Sequence, residues 1–194
     1  MTSQWNCNNH SKIFHPYFPK AANEGCLGGG GVDGAISNAG GSNLFADRQN
    51  LPEVSPGIRC KTGSAVITGP NDYGKLHTSY VIHAVGPNYM QYATKLDEGD
   101  ALLSSAYTSS LDCAKNVNLE AVGFSLLSAG IFRGPRSINE VLRIGMEAIS
   151  TYHGYSELQE VHMCAFNQKE ADVLVEIAKD MGLKKVSDGK CDVL

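Results

Sequence analysis

No stretch of the chain approaches the ~18–20 consecutive apolar residues that a membrane-spanning helix needs, and no such helix is expected. The six cysteines (Cys7, Cys26, Cys60, Cys113, Cys164 and Cys191) are scattered without a CxxC pair. With no apolar core of a secretory leader at the start, a disulfide framework is not expected, and a reducing compartment, cytoplasm or nucleus, is. Cys7 and His10 have a metal-like spacing, but no second pair completes a zinc set; no metal and no cofactor are expected. Positive charge is in deficit: 16 Lys and Arg stand against 20 Asp and Glu, giving a net charge of -4. The isoelectric point of about 5.8 offers nucleic acid no overall attraction, so no nucleic-acid partner is expected. A GxxxxGK[ST] phosphate loop is missing, which removes the P-loop enzymes.

What remains is an ordinary globular balance. The 194 residues are 42% hydrophobic and 19% charged, enough for one domain with a real core. That domain is expected over residues 21–183, between an irregular lead-in (1–20, broken by Pro16 and Pro19) and a tail (184–194), as a monomer.

Two glycine-rich segments carry most of the information. Gly28-Gly29-Gly30-Gly31-Val32-Asp33-Gly34 and Ser128-Ala129-Gly130-Ile131-Phe132-Arg133-Gly134 each follow an apolar stretch and precede a helical pattern. Backbone N–H groups in such a loop are unobstructed by side chains, and a helix N-terminus behind it favours negative charge. Two loops of this kind on one short chain point to a ligand with a diphosphate held from both sides.

Between them the pattern alternates strand and helix. Helices are expected over Val32–Ala39, Asn43–Leu51, Asp100–Lys115 with Asp100 as cap, Ser137–Tyr152 with a Ser137/Glu140 capping box, and Glu170–Met181. Strands are expected over Ser64–Thr68, Tyr80–Val85, Ala121–Leu127 and Val161–Phe166. This is an α/β domain with a largely parallel or mixed sheet, whose ligands sit at the carboxyl ends of strands. His83, mid-strand, reads as a buried, hydrogen-bonded histidine rather than a catalytic one. Gly29-x-Gly31-x-x-Gly34 fits the dinucleotide fingerprint literally. The Rossmann reading fails, because Glu53 lies between Pro52 and Pro56 with no strand before it and Gly40 cuts the helix short.

Ala21-Ala22-Asn23-Glu24, Gly28 to Ile36, Cys60 to Thr68, Tyr80 to Pro87 and Ser128 to Gly134, in that order, resemble the macrodomain family. The resemblance runs from about Ala21 to Met181 and implies a three-layer α/β/α fold with a mixed, largely parallel sheet, its N-terminal strands expected to be reduced, with Phe18-Pro19-Lys20 as the strand before Asn23. It implies ADP-ribose, or an ADP-ribosylated protein, as ligand. Backbone amides of Gly30, Gly31 and Val32, and of Ser128, Ala129, Gly130, Ile131 and Phe132, would hold the diphosphate. Asn23 would hydrogen-bond the distal ribose, and Asp33 would lie near the anomeric carbon and activate or position a water. Phe132 would pack on that ribose and Phe166 would stack on adenine. The first loop looks like the branch that removes mono-ADP-ribose; the second is closer to viral macrodomains. The expected activity is hydrolysis of mono-ADP-ribose esters on acidic side chains, or of O-acetyl-ADP-ribose. A non-catalytic reader and an ADP-ribose 1''-phosphate phosphatase are the alternatives.

The sequence departs from the family pattern in lacking the early Gly-Asp-Ile element, whose acid would bond the adenine amino group, and in having Ala129 for threonine. Arg133 replaces a glycine; its fork suits a phosphate, and blockage of the ribose pocket is the other reading. Cys191-Asp192-Val193-Leu194 has the form of a prenylation box, so a membrane partner enters only if Cys191 is lipidated.

Overall fold

The structure, a computed structural model, describes residues 4–5 and 18–185 of the chain. Cys7, His10 and the Cys191 box lie outside the described residues. In chain order the elements are β1 (Gln4–Trp5), β2 (Phe18–Ala21), α1 (Gly31–Gln49), β3 (Ala65–Thr68), β4 (Val81–Ala84), α2 (Leu96–Asn116), β5 (Ala121–Ser125), α3 (Ile138–Thr151), β6 (Glu160–Cys164), α4 (Gln168–Asp180) and β7 (Lys184–Lys185).

Parallel pairing dominates. β2 pairs with β4, β5 with β6 and β1 with β7, all parallel, and only β3 runs antiparallel, to β4. β2 lies beside β5, where the Ala21 amide donates to Ser125 Oγ at 3.2 Å. Pro19 brings no N–H to a ladder, which suits a strand paired through its backbone to β4 alone. β2 begins at Phe18, so the sheet draws an interior strand from the end of the segment read as a lead-in.

The sheet is covered on both faces, which gives the three layers. All of β4 is buried, and its residues alternate between two cores. Val81 packs with Leu44 of α1 and with Tyr73 and Leu76. Ile82 and Ala84 belong to the main core, with Leu103, Tyr107 and Leu111 of α2, Phe124 of β5, Leu142 and Met146 of α3, and Ile177 of α4. His83 is fully buried, with Nε2 2.9 Å from Thr68 Oγ1, as a structural strand histidine should be.

Helix boundaries follow local chemistry with two instructive differences. Ser137 and Glu140 form the expected capping box of α3. The two helices expected around Gly40-Gly41 form one element that breaks at Gly41, where φ is 58° and ψ is -150°. α2 starts at Leu96 rather than Asp100; instead of capping, the Asp100 carboxylate accepts from Tyr89 Oη at 2.8 Å and pairs with Arg136. Among the described residues no helix is long and apolar enough to cross a membrane.

Candidate functional site

The carboxyl ends of β4, β2, β5 and β6 come together at one edge of the sheet, and each leads into a segment that sequence reasoning singled out. β2 runs into Asn23 and the first glycine loop, β5 into Ser128–Gly134, and β6 stops two residues before Phe166. The edge is tied across strands: Ser128 Oγ donates to the Pro87 carbonyl at 2.8 Å, just beyond β4.

Below Asn23 the floor is apolar, made of Ala22, Cys26, Cys60 and Val85. The Cys60 thiol is pushed far above its ordinary value by its hydrogen bond with Cys26 and by burial, so it serves as packing rather than as a nucleophile. Glu24 pins the turn, its Oε1 accepting from the Thr62 amide at 2.9 Å and from Thr62 Oγ1 at 3.0 Å. Asn23 Nδ2 donates to the Gly28 carbonyl at 2.9 Å, which holds the asparagine across the mouth of the loop.

The loop then enters α1 with Gly30 as a cap that has no side chain to offer. Gly31 and Val32 lie in the first turn, where a helix supplies its N–H groups with no carbonyl partner. Both are exposed, and nothing lies within 4 Å of the Cβ positions of Gly30 and Gly31. A Cβ on Gly34 would sit 2.9 Å from the Gly29 carbonyl, so this close turn excludes any larger residue there.

Asp33, also in that first turn, is buried. Its Oδ1 is 3.2 Å from Arg48 Nη2. Arg48 Nη1 donates to Ser37 Oγ at 2.7 Å, and Ser37 Oγ donates to the Asp33 carbonyl at 2.6 Å. The other carboxylate oxygen, Oδ2, faces Gly29: it lies 3.3 Å from that residue's Cβ position, with Asn23 Nδ2 3.5 Å from the same point. Asn23 Nδ2 and Asp33 Oδ2 therefore both flank the same point beside Gly29. Burial pushes the Arg48 guanidinium below its ordinary value while Asp33 opposes the shift, and an arginine keeps its charge throughout.

In the second loop the amides of Ala129 and Arg133 are spent inside the turn, on the carbonyls of Leu126 and Gly130. Ser128, Gly130, Ile131 and Phe132 remain as the donors this loop can offer. Ile131 is 93% exposed and Phe132 half-buried, with the Phe132 carbonyl accepting from the Tyr89 amide at 2.8 Å. Arg133 Nη1 donates to the Arg136 carbonyl at 2.9 Å, so one arm of its fork is engaged within its own turn. Phe166 is 78% exposed, an apolar ring standing at the edge instead of in the core. Among the described residues no three His, Cys, Asp or Glu side chains gather as a metal site.

Residues 20–143 match the Macro domain family. The chain belongs to that family. It is 38% identical over 153 residues to a macro domain-containing protein of Caldanaerobacter subterraneus subsp. tengcongensis, covering 79% of this chain and 82% of the relative. It is 37% identical over 170 residues to a Pantoea vagans protein named O-acetyl-ADP-ribose deacetylase 1, covering 86% and 92%. A solved Oceanobacillus iheyensis macrodomain with ADP is similar with a TM-score of 0.75 and 28% identity, covering 87% of this chain and 85% of that one. The same macrodomain has been solved with one aspartate, or an asparagine ten residues before it, replaced by alanine.

The macrodomain edge gathers all the residues expected from the sequence: Asn23, Gly30, Gly31, Val32 and Asp33 on one side, Ser128 to Arg133 on the other, Phe166 beyond. Ser128 contributes its hydroxyl to the scaffold. Arg48 was not anticipated. It is fifteen residues from Asp33, about 22 Å along the axis of a straight helix, and only the break at Gly41 brings it back. The available signal was electrostatic: a carboxylate placed beside an anion cradle needs a nearby cation. Two open surface hollows lie elsewhere, one of about 320 Å³ near Asp112 and His153, the other of about 270 Å³ near Asp47 and Pro70.

Proposed function

We propose that this macrodomain binds ADP-ribose along the edge and hydrolyses mono-ADP-ribose esters on acidic side chains, or O-acetyl-ADP-ribose. The observation that carries this reading is that Asn23 Nδ2 and Asp33 Oδ2 flank the same point beside Gly29. Asp33 follows Asn23 by ten positions, the same interval that separates the two residues replaced in the Oceanobacillus macrodomain. The name of the Pantoea relative supports the same substrate class.

The diphosphate would lie between the amides of Gly30 to Val32 and those of Gly130 to Phe132, its charge met by backbone dipoles. The distal ribose would then lie over Gly29. There the Asn23 amide can bond a ribose hydroxyl, and Asp33 Oδ2 can take a proton from a water as that water attacks the ester. Water adds its oxygen to the acyl carbon, the ribose oxygen leaves with a proton, and the products are the free acid and ADP-ribose. One feature favours a non-catalytic reader instead: Arg48 already engages Asp33 Oδ1.

Calorimetry with ADP-ribose, ADP, AMP and NAD, followed by a single-turnover assay on ester-modified protein, O-acetyl-ADP-ribose and ADP-ribose 1''-phosphate, tests the proposal. Selective ADP-ribose binding with release from the esters is expected. Full occupancy without release would leave the reader, and release from the 1''-phosphate alone would make the protein a phosphatase.

A further inference from the structure

Asp33 raises an electrostatic problem. Its carboxylate is buried in the first turn of a helix whose exposed amides form an anion cradle, so a bound diphosphate would meet a fixed negative charge within a low-dielectric wall. A general base is useful there only if that repulsion is met.

The structure places a cation where it is needed. Arg48 is 1% exposed, and its Nη2 contacts Asp33 Oδ1 at 3.2 Å. Its Nη1 lies 3.5 Å from the Cβ position of Gly28, directly under the glycine loop. In a straight helix, residues fifteen apart would be separated by about 22 Å along the axis. The Gly41 break, in a backbone region open essentially to glycine alone, folds the second arm of α1 back beneath the first. Ser37 completes the arrangement by receiving Nη1 at 2.7 Å and bonding the Asp33 carbonyl.

We propose that Arg48 is the charge-compensating, positioning residue of the ligand site: buried under the first glycine loop, it cancels the repulsion between Asp33 and a bound diphosphate and fixes Oδ1 so that Oδ2 faces the ribose position. The inference rests on the diphosphate reading given above. Arg48 acts through Asp33 and through the field, with no ligand contact of its own.

A double-mutant cycle on the intact chain, read by ADP-ribose calorimetry with thermal unfolding in parallel, tests this. Arg48→Met should weaken ADP-ribose binding at least ~10-fold, because it removes the cation paired with Asp33, while Arg48→Lys should recover part of the loss. Asp33→Asn alone should bind as tightly as the parent or tighter. Asp33→Asn combined with Arg48→Met should return to within ~3-fold of the parent, a recovery that mere damage to packing would not give. If Arg48→Met does not fold, the comparison moves to the Asp33→Asn background, where removing Arg48 should weaken binding relative to Asp33→Asn alone. Unchanged affinity in Arg48→Met, or a double variant no tighter than Arg48→Met, would overturn the compensation. A parent protein that fails to bind ADP-ribose would instead overturn the diphosphate reading, and this inference with it.

Discussion

At the scale of single residues, the Asp33–Arg48 pair makes alanine a poor probe of the carboxylate. Asp33→Ala would strand a buried guanidinium, and breaking a buried pair from one side costs about 3–5 kcal/mol. Asp33→Asn keeps an oxygen for Arg48, so its denaturation midpoint should stay much nearer the parent while turnover falls at least ~10²-fold, the scale of losing a general base. Chemical denaturation and single-turnover rates measured on both variants check the two halves separately; an unimpaired rate in the folded asparagine variant would remove Asp33 from the chemistry. Phe166→Ala should do the reverse. At 78% exposure the ring contributes little to stability, whereas loss of an adenine stack should weaken ADP-ribose binding by about 1–3 kcal/mol. Asn23 and Asp33 were legible through the resemblance to macrodomains, whose first two motifs carry them within one local stretch. Arg48 was not, because its partnership is made by tertiary folding and its burial leaves no periodic trace.

Among the elements, α1 shows how a sequence signal was right in kind and incomplete in consequence. The Gly40-Gly41 pair marked an interruption, and the structure breaks there, yet only three dimensions reveal that the second arm returns beneath the first loop. Gly41→Ala meets no steric neighbour, so its cost is backbone strain alone, about 1–3 kcal/mol. Its ADP-ribose affinity should fall as well, if the strain is relieved by straightening that withdraws Arg48; calorimetry beside thermal unfolding reads both. The start of α2 was misplaced by a turn because Asp100 has a cap-forming side chain, but Tyr89 and Arg136 claim its carboxylate instead. α3 was legible in full, since its cap is local. Hydrogen bonds from the Ser137 backbone and hydroxyl hold the Glu140 carboxyl below its ordinary value, with Arg136 adding to the effect. A lowered folded-state value means that this stabilisation is complete above the ordinary glutamate range and is lost as pH falls through the folded value. Glu140→Gln should therefore be less stable than the parent at pH 7, and urea titrations should show the difference shrinking as the pH falls below the ordinary carboxylate range.

For the whole molecule, the order of strands decides why segments a hundred residues apart share one edge. The motifs announced two loops and an aromatic, but which strands are neighbours is a matter of non-local pairing: β2 lies between β4 and β5, and β6 lies beyond β5. The consequence is a site for an anion on a protein of net charge -4. Long-range attraction cannot supply the affinity; on the function proposed above, the amides of the two loops would supply it, and the internally neutral Asp33–Arg48 pair would add no net repulsion. Fixed dipoles and buried charges are screened by salt far less than a surface patch of Lys or Arg. ADP-ribose affinity should therefore change by no more than ~3-fold between about 50 mM and 500 mM salt, where a site built on exposed cations would lose far more. Arg133 is the one cation placed within the second loop, and its fork is partly engaged by the Arg136 carbonyl. If it swings free to pair with phosphate, the salt dependence will be steep in the parent and flattened by Arg133→Gly, with a loss of about 1–3 kcal/mol at low salt. A shallow slope shared by parent and Arg133→Gly is the expected result, and it would place the whole of the diphosphate's recognition on the backbone.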